Sequence, residues 1–354
     1  NVATSGASYV VFGQSSFSAT FTLSSVDGTT GFRIDGIDIS DRSGTAVSSI
    51  GDINGDGFDD VIVGAPSADP SGKTSGGESY VVFGKASGFS ANIAVSSLNG
   101  TTGFRLDGID ANDRSGHSVG AAGDINGDGF GDFFVGSYGG NAFTGESYVV
   151  FGKSSAFSSS IDLPSLDGST GFRIDGIDIG DYAGRSIAAA GDVNGDGFDD
   201  LIIGALFGDP GGNSGAGETY ILFGKSTGFS ASLALSSLDG SSGIRLDGIV
   251  ANDYSGRSVS GAGDVNGDGF DDLIIGADRA DPGGVSQAGA SYVVFGGDFT
   301  GAVNFAGTSA ADALTGTTAA EVFVGGQGND TLTGGGGADP FRGGAGNDIM
   351  VIRD

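Results

Sequence analysis

The stretch GDINGDGFDD (Gly51–Asp60) decides the fold of this chain, because nearly the same ten residues occur four times. The other copies begin at Gly123, Gly191 and Gly263. In every copy Asp, Asn, Asp and Asp stand at positions one, three, five and nine of the loop, and a glycine stands at position six, where the chain must turn sharply. The spacing places several side-chain oxygens on one side of a short turning loop.

Oxygen ligands in this arrangement indicate a hard divalent cation. Ca²⁺ takes about six to eight oxygen ligands, whereas Mg²⁺ prefers a tighter octahedron and keeps its water. The alternative is that the Asp-Gly and Asn-Gly dipeptides only form turns. Four copies in which no ligand position is lost favour the metal, so the sequence predicts one Ca²⁺ in each loop.

Composition narrows the class of protein. The chain has 44 acidic residues against 15 Lys and Arg, a formal charge of -29, so we expect bound cations and no nucleic-acid partner. With 38% hydrophobic residues, including 25 Phe, it has enough apolar surface for a packed core. The 72 glycines separate stretches rich in Val, Ile, Phe and Tyr, which predicts strands and turns with almost no helix. Cys is absent, and no apolar run approaches the about 20 residues that would cross a bilayer.

Other motifs repeat in phase with the acidic loops, which start 72, 68 and 72 residues apart. SYVVFG or TYILFG occurs five times, and GFRIDG or a close variant occurs four times. The second period reads as four strands, near residues 118–122, 132–135, 147–151 and 171–174. The middle two are continuous apolar runs, so both of their faces should be buried. Four-stranded sheets packed face to face around an axis, as in a β-propeller, satisfy that requirement.

The combination of Phe83-Gly84, Gly64-Ala65-Pro66 and the DxNxDGxxD loop resembles the FG-GAP repeat of integrin alpha-chain β-propellers and their bacterial relatives. The resemblance covers residues 1 to about 298 and implies an all-β propeller of four-stranded blades, with four calcium-loop repeats and a partial blade. By the pattern of that family, four side chains and one Phe carbonyl of each loop hold Ca²⁺, as structural ions. The four implied ligand sets are Asp52, Asn54, Asp56, Phe58 and Asp60; Asp124, Asn126, Asp128, Phe130 and Asp132; Asp192, Asn194, Asp196, Phe198 and Asp200; and Asp264, Asn266, Asp268, Phe270 and Asp272.

The strand count predicts an incomplete ring. Two strands precede the first complete period, four lie in each of three periods, and three follow, which completes neither four nor five blades. Residues 299–306 form a linker or one added strand. We therefore expect the ring to be open, completed by another chain, or continued beyond this sequence, and self-association through the incomplete blade is one interpretation.

From Gly307 the period changes to nine, and the last three units are GGQGNDTLT, GGGGADPFR and GGAGNDIMV. These units resemble the calcium-binding nonapeptides of RTX (hemolysin-type) proteins, which implies a short parallel β-roll over residues 307–354 with one to three further Ca²⁺ ions. Asp330, Asp339 and Asp348 are the predicted ligands. Asp312 and Glu321 occupy the same position in two units that lack paired glycines, so we expect a cap there. Pro340 is expected to weaken one strand. A flexible glycine-rich tail is the alternative.

No catalytic constellation is evident, so the sequence predicts a protein that is not an enzyme. His117 is the only histidine, and Thr45, Arg185 and Arg257 replace it in the other repeats. Carboxylates could serve a glycosidase, but almost all of them recur in every repeat, as expected of residues that serve the fold. The recurring arginines, such as Arg105, are expected to join neighbouring blades through carboxylates.

Loops that differ between repeats are the predicted binding surfaces, because binding residues concentrate on variable loops of rigid scaffolds. These loops span residues 67–77, 138–145, 206–217 and 278–289. Phe143 and Phe207 are candidate anchors, although packing beneath their own loops is the alternative. The leading interpretation is an extracellular or cell-surface, calcium-stabilised adhesion or recognition module that binds a protein or glycan.

Two alternatives remain open. The chain could be a structural subunit of a surface layer, sheath or filament assembled through open blade edges, or the non-catalytic part of a larger secreted enzyme. RTX resemblance also implies type I secretion, in which external calcium folds the exported chain. Fold alone does not decide among these functions.

Overall fold

The computed structural model describes residues 5–16 and 18–352, which form an all-β protein with a single short α-helical turn among the described residues. The strands of the propeller-type repeats are β1 (Ala7–Val11), β2 (Gly31–Asp35), β3 (Ala46–Gly51), β4 (Asp60–Ala65), β5 (Glu78–Val82), β6 (Asn92–Ala94), β7 (Gly103–Asp107), β8 (Ser118–Gly123), β9 (Asp132–Ser137), β10 (Glu146–Val150), β11 (Ser160–Asp162), β12 (Gly171–Asp175), β13 (Ser186–Gly191), β14 (Asp200–Ala205), β15 (Glu218–Leu222), β16 (Ser232–Ala234), β17 (Gly243–Asp247), β18 (Ser255–Gly263), β19 (Asp272–Ala277) and β20 (Ala290–Val294).

Short strands and single turns make up the remaining elements. The C-terminal strands are β21 (Phe305–Ala306), β22 (Ala313–Thr315), β23 (Phe323–Val324), β24 (Thr331–Thr333), β25 (Phe341–Arg342) and β26 (Ile349–Val351). The 3₁₀ turns are Leu23–Ser25, Pro70–Gly72, Val95–Ser97, Leu163–Ser165, Pro210–Gly212, Leu235–Ser237 and Pro282–Gly284, and the α-helical turn is Gly140–Phe143.

The chain divides into two compact units. The first comprises residues 1–121, 130–185 and 229–234, and the second comprises residues 122–129, 186–228 and 235–354. The first unit contains the sheets β1-β2-β6, β11-β7-β5-β4-β3 and β16-β12-β10-β9-β8. The second contains β13-β14-β15-β17, β18-β19-β20 and two small C-terminal sheets. The predicted division at residues 298 and 306 differs from these units and stays a prediction.

The predicted four-stranded blades are confirmed. In the second period β8, β9, β10 and β12 occupy the four predicted places, and all six residues of β9 are buried. Burial of the middle strands follows from their apolar runs, and β14 is likewise buried at all six residues. One core cluster in the first unit contains Phe104, Phe133 and Tyr148, each at most 1% exposed.

Each period also contains a short strand that the sequence analysis missed. β6 pairs in parallel with β2, β11 with β7 and β16 with β12, so each short strand adds a further edge to the sheet of the preceding repeat. A phenylalanine just before each short strand stacks on that sheet: Phe89 on Phe32, Phe157 on Phe104 and Phe229 on Phe172, with ring centroids 4.6, 4.8 and 4.3 Å apart. The recurring sequence around Asn92–Leu98 was the available signal.

The nonapeptides form the predicted parallel roll. Successive strands alternate between the sheets β21-β23-β25 and β22-β24-β26, so that residues 18 positions apart, such as Phe305 and Phe323, stand side by side. Phe305, Phe323 and Phe341 stack along one sheet. Pro340 lies just before β25 and not at a strand position, contrary to expectation, and its carbonyl accepts a hydrogen bond from Phe323 N at 3.0 Å.

Candidate metal centres

The first acidic loop joins β3 to β4 and is wound around its own carboxylates. Oδ1 of Asp52 accepts hydrogen bonds from the backbone N–H groups of Gly55 and Asp56, at 2.8 and 3.1 Å, and Oδ2 accepts from Gly57 at 2.7 Å. Asn54 Oδ1 accepts from Asp56 N at 2.9 Å. Gly57 has a φ of 88°, which confirms the sharp turn predicted there.

The other loops repeat this winding. The first aspartate of each loop accepts from the two backbone N–H groups four and five residues later, at 2.8 to 3.1 Å. The loops are therefore ordered by internal hydrogen bonds that gather their polar side chains.

The aspartate at position nine of each loop is fully buried at the start of the following strand: Asp60, Asp132, Asp200 and Asp272. Asp60 accepts from Ile53 N at 3.2 Å and from Gly84 N at 2.8 Å, and Gly84 is the glycine of the FG motif. A Cβ at Gly84 would lie 2.4 Å from the Asp59 carbonyl oxygen, so no other residue fits. The FG glycine thus connects the third strand of a blade to its acidic loop.

Burial disfavours the charged form of these carboxylates. Burial raises the pKa of Asp60 to about 7, and the nearby Asp56 and Asp52 charges add to that rise against the two backbone donors. Burial likewise raises the pKa of Asp200 well above its ordinary value. A bound divalent cation would offset this cost.

The donor set fits Ca²⁺, because it consists of carboxylate and amide oxygens without nitrogen or sulfur. In the described ranges 5–16 and 18–352, no three acidic or histidine side chains converge as a metal cluster. Asp52, Asn54, Asp56, Asp60 and the Phe58 carbonyl remain the predicted ligands of the first loop, and the matching sets remain predictions for the others. The ion would supply positive charge to buried carboxylates.

Consecutive loops touch through the phenylalanine at position seven, whose carbonyl was a predicted ligand, and through the aspartate at position eight, which the sequence analysis did not single out. The Phe130 ring lies so close to Gly55 that a Cβ there would come within 2.6 Å of it, and Phe198 lies in the same way against Gly127. The aspartate at position eight adds a hydrogen bond: Asp199 Oδ2 accepts from Asp124 N at 2.8 Å, and Asp271 Oδ2 accepts from Asp192 N at 2.9 Å. Adjacent repeats are therefore joined at their acidic loops.

In the roll, the carboxylate of each predicted ligand accepts a hydrogen bond from a backbone N–H group 18 residues earlier, on the preceding turn of the roll. Oδ1 of Asp330 accepts from Asp312 N at 2.8 Å, Oδ1 of Asp339 from Glu321 N at 2.9 Å, and Oδ1 of Asp348 from Asp330 N at 2.8 Å. Asp330 is 1% exposed, and its buried Oδ2 has no hydrogen-bond partner. A buried carboxylate oxygen without a donor fits a cation. Asp312 and Glu321 accept from Thr308 N and Thr317 N, as a cap would require.

The roll packs on the third and fourth acidic loops. A Cβ on Gly197 would lie 3.1 Å from Pro340, and a Cβ on Gly269 would lie 2.5 Å from Val324. Gln327 Nε2 donates to the Asn266 carbonyl at 2.8 Å. The roll thereby covers the last acidic loop, where no further repeat supplies a phenylalanine.

The recurring arginines act within a sheet, so the predicted connection between blades is wrong. Arg105 on β7 lies 2.6 Å from Asp107 on the same strand and 3.9 Å from Glu78 on the neighbouring β5. Glu78 also accepts from the hydroxyl of buried Tyr80. Glu78 faces Asp107 and Tyr80 faces Arg105 in the strand register, which explains why the group recurs in each blade.

The variable loops are less varied than predicted. Three of them contain the 3₁₀ turns that begin at Pro70, Pro210 and Pro282, and the aspartate before each proline accepts a backbone N–H six residues later, at 2.7, 2.6 and 2.5 Å. The second loop, residues 138–145, is built differently. Asn141, Ala142 and Phe143 have φ values of 49°, 59° and 69°, which non-glycine residues seldom adopt.

Aromatic and cationic side chains surround this second loop. The Tyr182 ring lies 5.4 Å from that of Tyr138 and 5.3 Å from that of Phe143, which is 36% exposed. Arg185 lies over Tyr138 at 5.2 Å, and the His117 ring meets Tyr138 at 4.6 Å. Burial, with Arg185 and Arg114 nearby, lowers the pKa of His117 to about 4. Phe207, the other candidate anchor, is half-buried against Tyr254, 5.0 Å away.

Sequence comparisons agree with this architecture. The FG-GAP repeat model matches residues 43–82, 115–150, 183–222 and 255–294, and the model of the RTX calcium-binding nonapeptide repeat matches residues 315–350. Integrin alpha-V of Gallus gallus is 31% identical over 236 residues, which are 65% of this chain and 19% of the relative. Integrin alpha pat-2 of Caenorhabditis elegans is 31% identical over 211 residues, 59% of this chain and 16% of the relative.

A phosphatidylinositol-glycan-specific phospholipase D of Bos taurus is 34% identical over 175 residues, 48% of this chain and 19% of that protein. The chain thus spans about a fifth or less of the length of these relatives. In the part of the chain that the structure describes, no helix is long and apolar enough to cross a membrane.

The matched repeats imply Ca²⁺ binding, and the identified relatives share the FG-GAP part of the chain. Residues 43–294 carry the four loops, and residues 315–350 carry the nonapeptides. The chain is therefore an integrin-alpha-like FG-GAP repeat protein with RTX calcium-binding nonapeptide repeats at its C-terminal end.

Proposed function

We propose that this chain is an extracellular recognition module in which Ca²⁺ stabilises the acidic loops and the roll, and in which the second variable loop binds a protein or glycan. Four ions belong to the acidic loops and one to three to the roll. The complete burial of the position-nine aspartates supports a structural function for these ions. Secretion before folding, by a type I route, would suit a chain that needs external calcium.

The observation that carries the binding proposal is the departure of the second loop from the other three. It replaces a shared Asp-Pro turn by a turn of three consecutive non-glycine residues with positive φ, which presents Phe143 beside Tyr182. Strained backbone is maintained only where the surroundings enforce it and is concentrated at functional sites. Exposed aromatic rings with adjacent arginines suit sugar rings or protein side chains, since both offer apolar faces and polar edges.

The test is binding of the whole chain, in calcium, to arrays of glycans and of extracellular-matrix proteins. Phe143→Ala should lower affinity for the bound ligand about tenfold or more, as expected of an aromatic anchor at the centre of an interface. Tyr254→Ala is the matched control, because it removes the ring beside Phe207 in the third loop and should leave binding unchanged. Equal affinity of the Phe143→Ala variant and the unaltered chain would refute the proposal.

A further inference from the structure

Three grooves in this chain are filled by the same kind of segment. After each of the short strands β6, β11 and β16, a 3₁₀ turn begins with one buried aliphatic side chain. These side chains are Val95, Leu163 and Leu235, which are 4, 2 and 2% exposed. Each short strand and its turn together join one repeat to the preceding one.

A fourth copy of this segment, residues 20–26 (TFTLSSV), belongs to the first repeat and pairs with no strand among the described residues. It already has the conformation of its counterparts. Thr22 has φ -94° and ψ 119°, against -82° and 110° for Ala94. Ser25 Oγ donates to the Thr22 carbonyl at 2.7 Å, as Ser97 Oγ does to Ala94. Yet Leu23, the counterpart of buried Val95, is 47% exposed.

At the other end of the repeats one groove is unfilled. The edge of β17 has no short strand beside it, whereas β2, β7 and β12 each have one. A cavity of about 210 Å³ lies along that edge, lined mainly by apolar side chains that include Leu246, Ile249 and Tyr292. Ile249 is 64% exposed, while its counterparts Ile37 and Ile109 pack against core clusters.

Gly240, which precedes β17, has the same unfilled space beside it. A Cβ on Gly28, Gly100 or Gly168 would lie 2.2, 2.3 or 2.1 Å from a carbonyl oxygen of the incoming segment. Around their counterpart Gly240 there is nothing within 4 Å. The turn before β17 thus has open space where its three counterparts meet the incoming segment.

We propose that residues 20–26 of one copy of this chain add in parallel to β17 of a second copy, with Leu23 entering the cavity. Among the described residues neither surface is occupied. A second copy would supply the matching surface for each, in a contact that the chain already makes three times within itself. The internal pairs Ile34↔Ile93 and Asp35↔Ala94 set the register. By that register Phe21 faces Leu246, and Thr22 faces Asp247.

The two surfaces differ, so the association is head to tail and each added copy leaves one surface of each kind open. A three-residue strand and one aliphatic side chain bury little area, so a single contact is weak and depends on concentration. The inference is independent of the ligand-binding surface proposed for the second loop.

Sedimentation velocity over a concentration series, in calcium, tests the association. The unaltered chain should form dimers and longer species as concentration rises. Leu23→Asp should lower the affinity of this association about ten- to hundredfold, since it replaces an aliphatic side chain that the cavity would bury. Ile179→Asp is the control: Ile179 is 80% exposed and lies outside both surfaces. A monomer at every concentration would overturn the proposal.

Cross-linking tests the register, because the chain contains no native cysteine. A Thr22→Cys preparation mixed with an Asp247→Cys preparation should form a disulfide-linked heterodimer under mild oxidation. Arg245 lies two residues before Asp247, about 7 Å along the strand. A mixture of Thr22→Cys and Arg245→Cys should therefore form the intermolecular disulfide at least tenfold more slowly. In a chain that carries both Thr22→Cys and Asp247→Cys, a disulfide within one monomer would overturn assembly between copies.

Discussion

Arg342 in the C-terminal roll donates a hydrogen bond from Nε to Oδ2 of Asp192, 2.7 Å away, and the Asp192 side chain is completely buried. Asp192 is the first predicted ligand of the third acidic loop. Burial raises its pKa, and the Arg342 charge is the main influence that lowers it. The roll therefore brings a positive charge to the carboxylate that is predicted to hold a cation.

Replacing that charge should have an effect that depends on calcium. Without calcium, Arg342→Met should lower the free energy of unfolding by about 1.5–3 kcal/mol, the usual worth of a charged hydrogen bond. With calcium the loss should shrink, since the ion compensates Asp192. Urea unfolding in chelator and in calcium measures both values. Arg342→Lys, which keeps the charge, is the control, and an equal loss in both buffers would show that Asp192 holds no ion.

Removing calcium should destabilise the whole chain. An ion bound only to the folded state adds about 2.7 kcal/mol per site at a hundredfold excess over Kd, so chelator should lower the thermal midpoint clearly. Asp56→Ala should remove one site and part of this shift. Asp59→Ala, at the neighbouring exposed position, should leave the shift intact. An unchanged midpoint on chelation would refute calcium binding by these loops.

The position-eight aspartates allow a test of the contact between loops. Asp199→Ala removes the acceptor of the 2.8 Å bond from Asp124 N and should cost about 1–3 kcal/mol of stability by chemical denaturation. Asp59→Ala, at the same position of the first loop, alters an exposed side chain and should cost less than about 0.5 kcal/mol. Similar losses in the two variants would contradict a specific bond between loops.

Much of this architecture could be predicted from the sequence, because the residues that build it repeat. The blades follow from apolar runs such as Asp132–Ser137, and the roll follows from the nonapeptide glycines. What could not be predicted depends on contacts between repeats. The short strand Asn92–Ala94 has only three residues, too few for a clear period, and its pairing with β2 is decided by the neighbouring sheet. The Arg342 contact joins residues 150 positions apart.

The pH dependence of stability near the second loop should depend on His117. Its folded pKa is about 4, below the ordinary 6.5, so the folded state favours the neutral ring. This contribution is present above pH 6.5 and is lost as pH falls from 6.5 to 4, because the unfolded state takes up the proton first. The loss should be on the order of 1 kcal/mol, given partial exposure. His117→Thr, which places the residue of the first repeat, Thr45, at this position, should remove this pH-dependent loss of stability. Parallel pH profiles of stability for the two proteins would contradict this prediction.

Two leucines at the same position of the repeated segment differ in burial. Leu163 is 2% exposed and belongs to the core cluster with Phe104 and Tyr148, whereas Leu23, at the same position of the motif, is 47% exposed. Leu163→Ala leaves a cavity and should cost about 2–5 kcal/mol of stability. Leu23→Ala should cost less than about 0.5 kcal/mol in dilute solution. Urea unfolding at low protein concentration measures both. The cost of Leu23→Ala should then rise with protein concentration, since assembly would bury that side chain, while the cost of Leu163→Ala should stay constant.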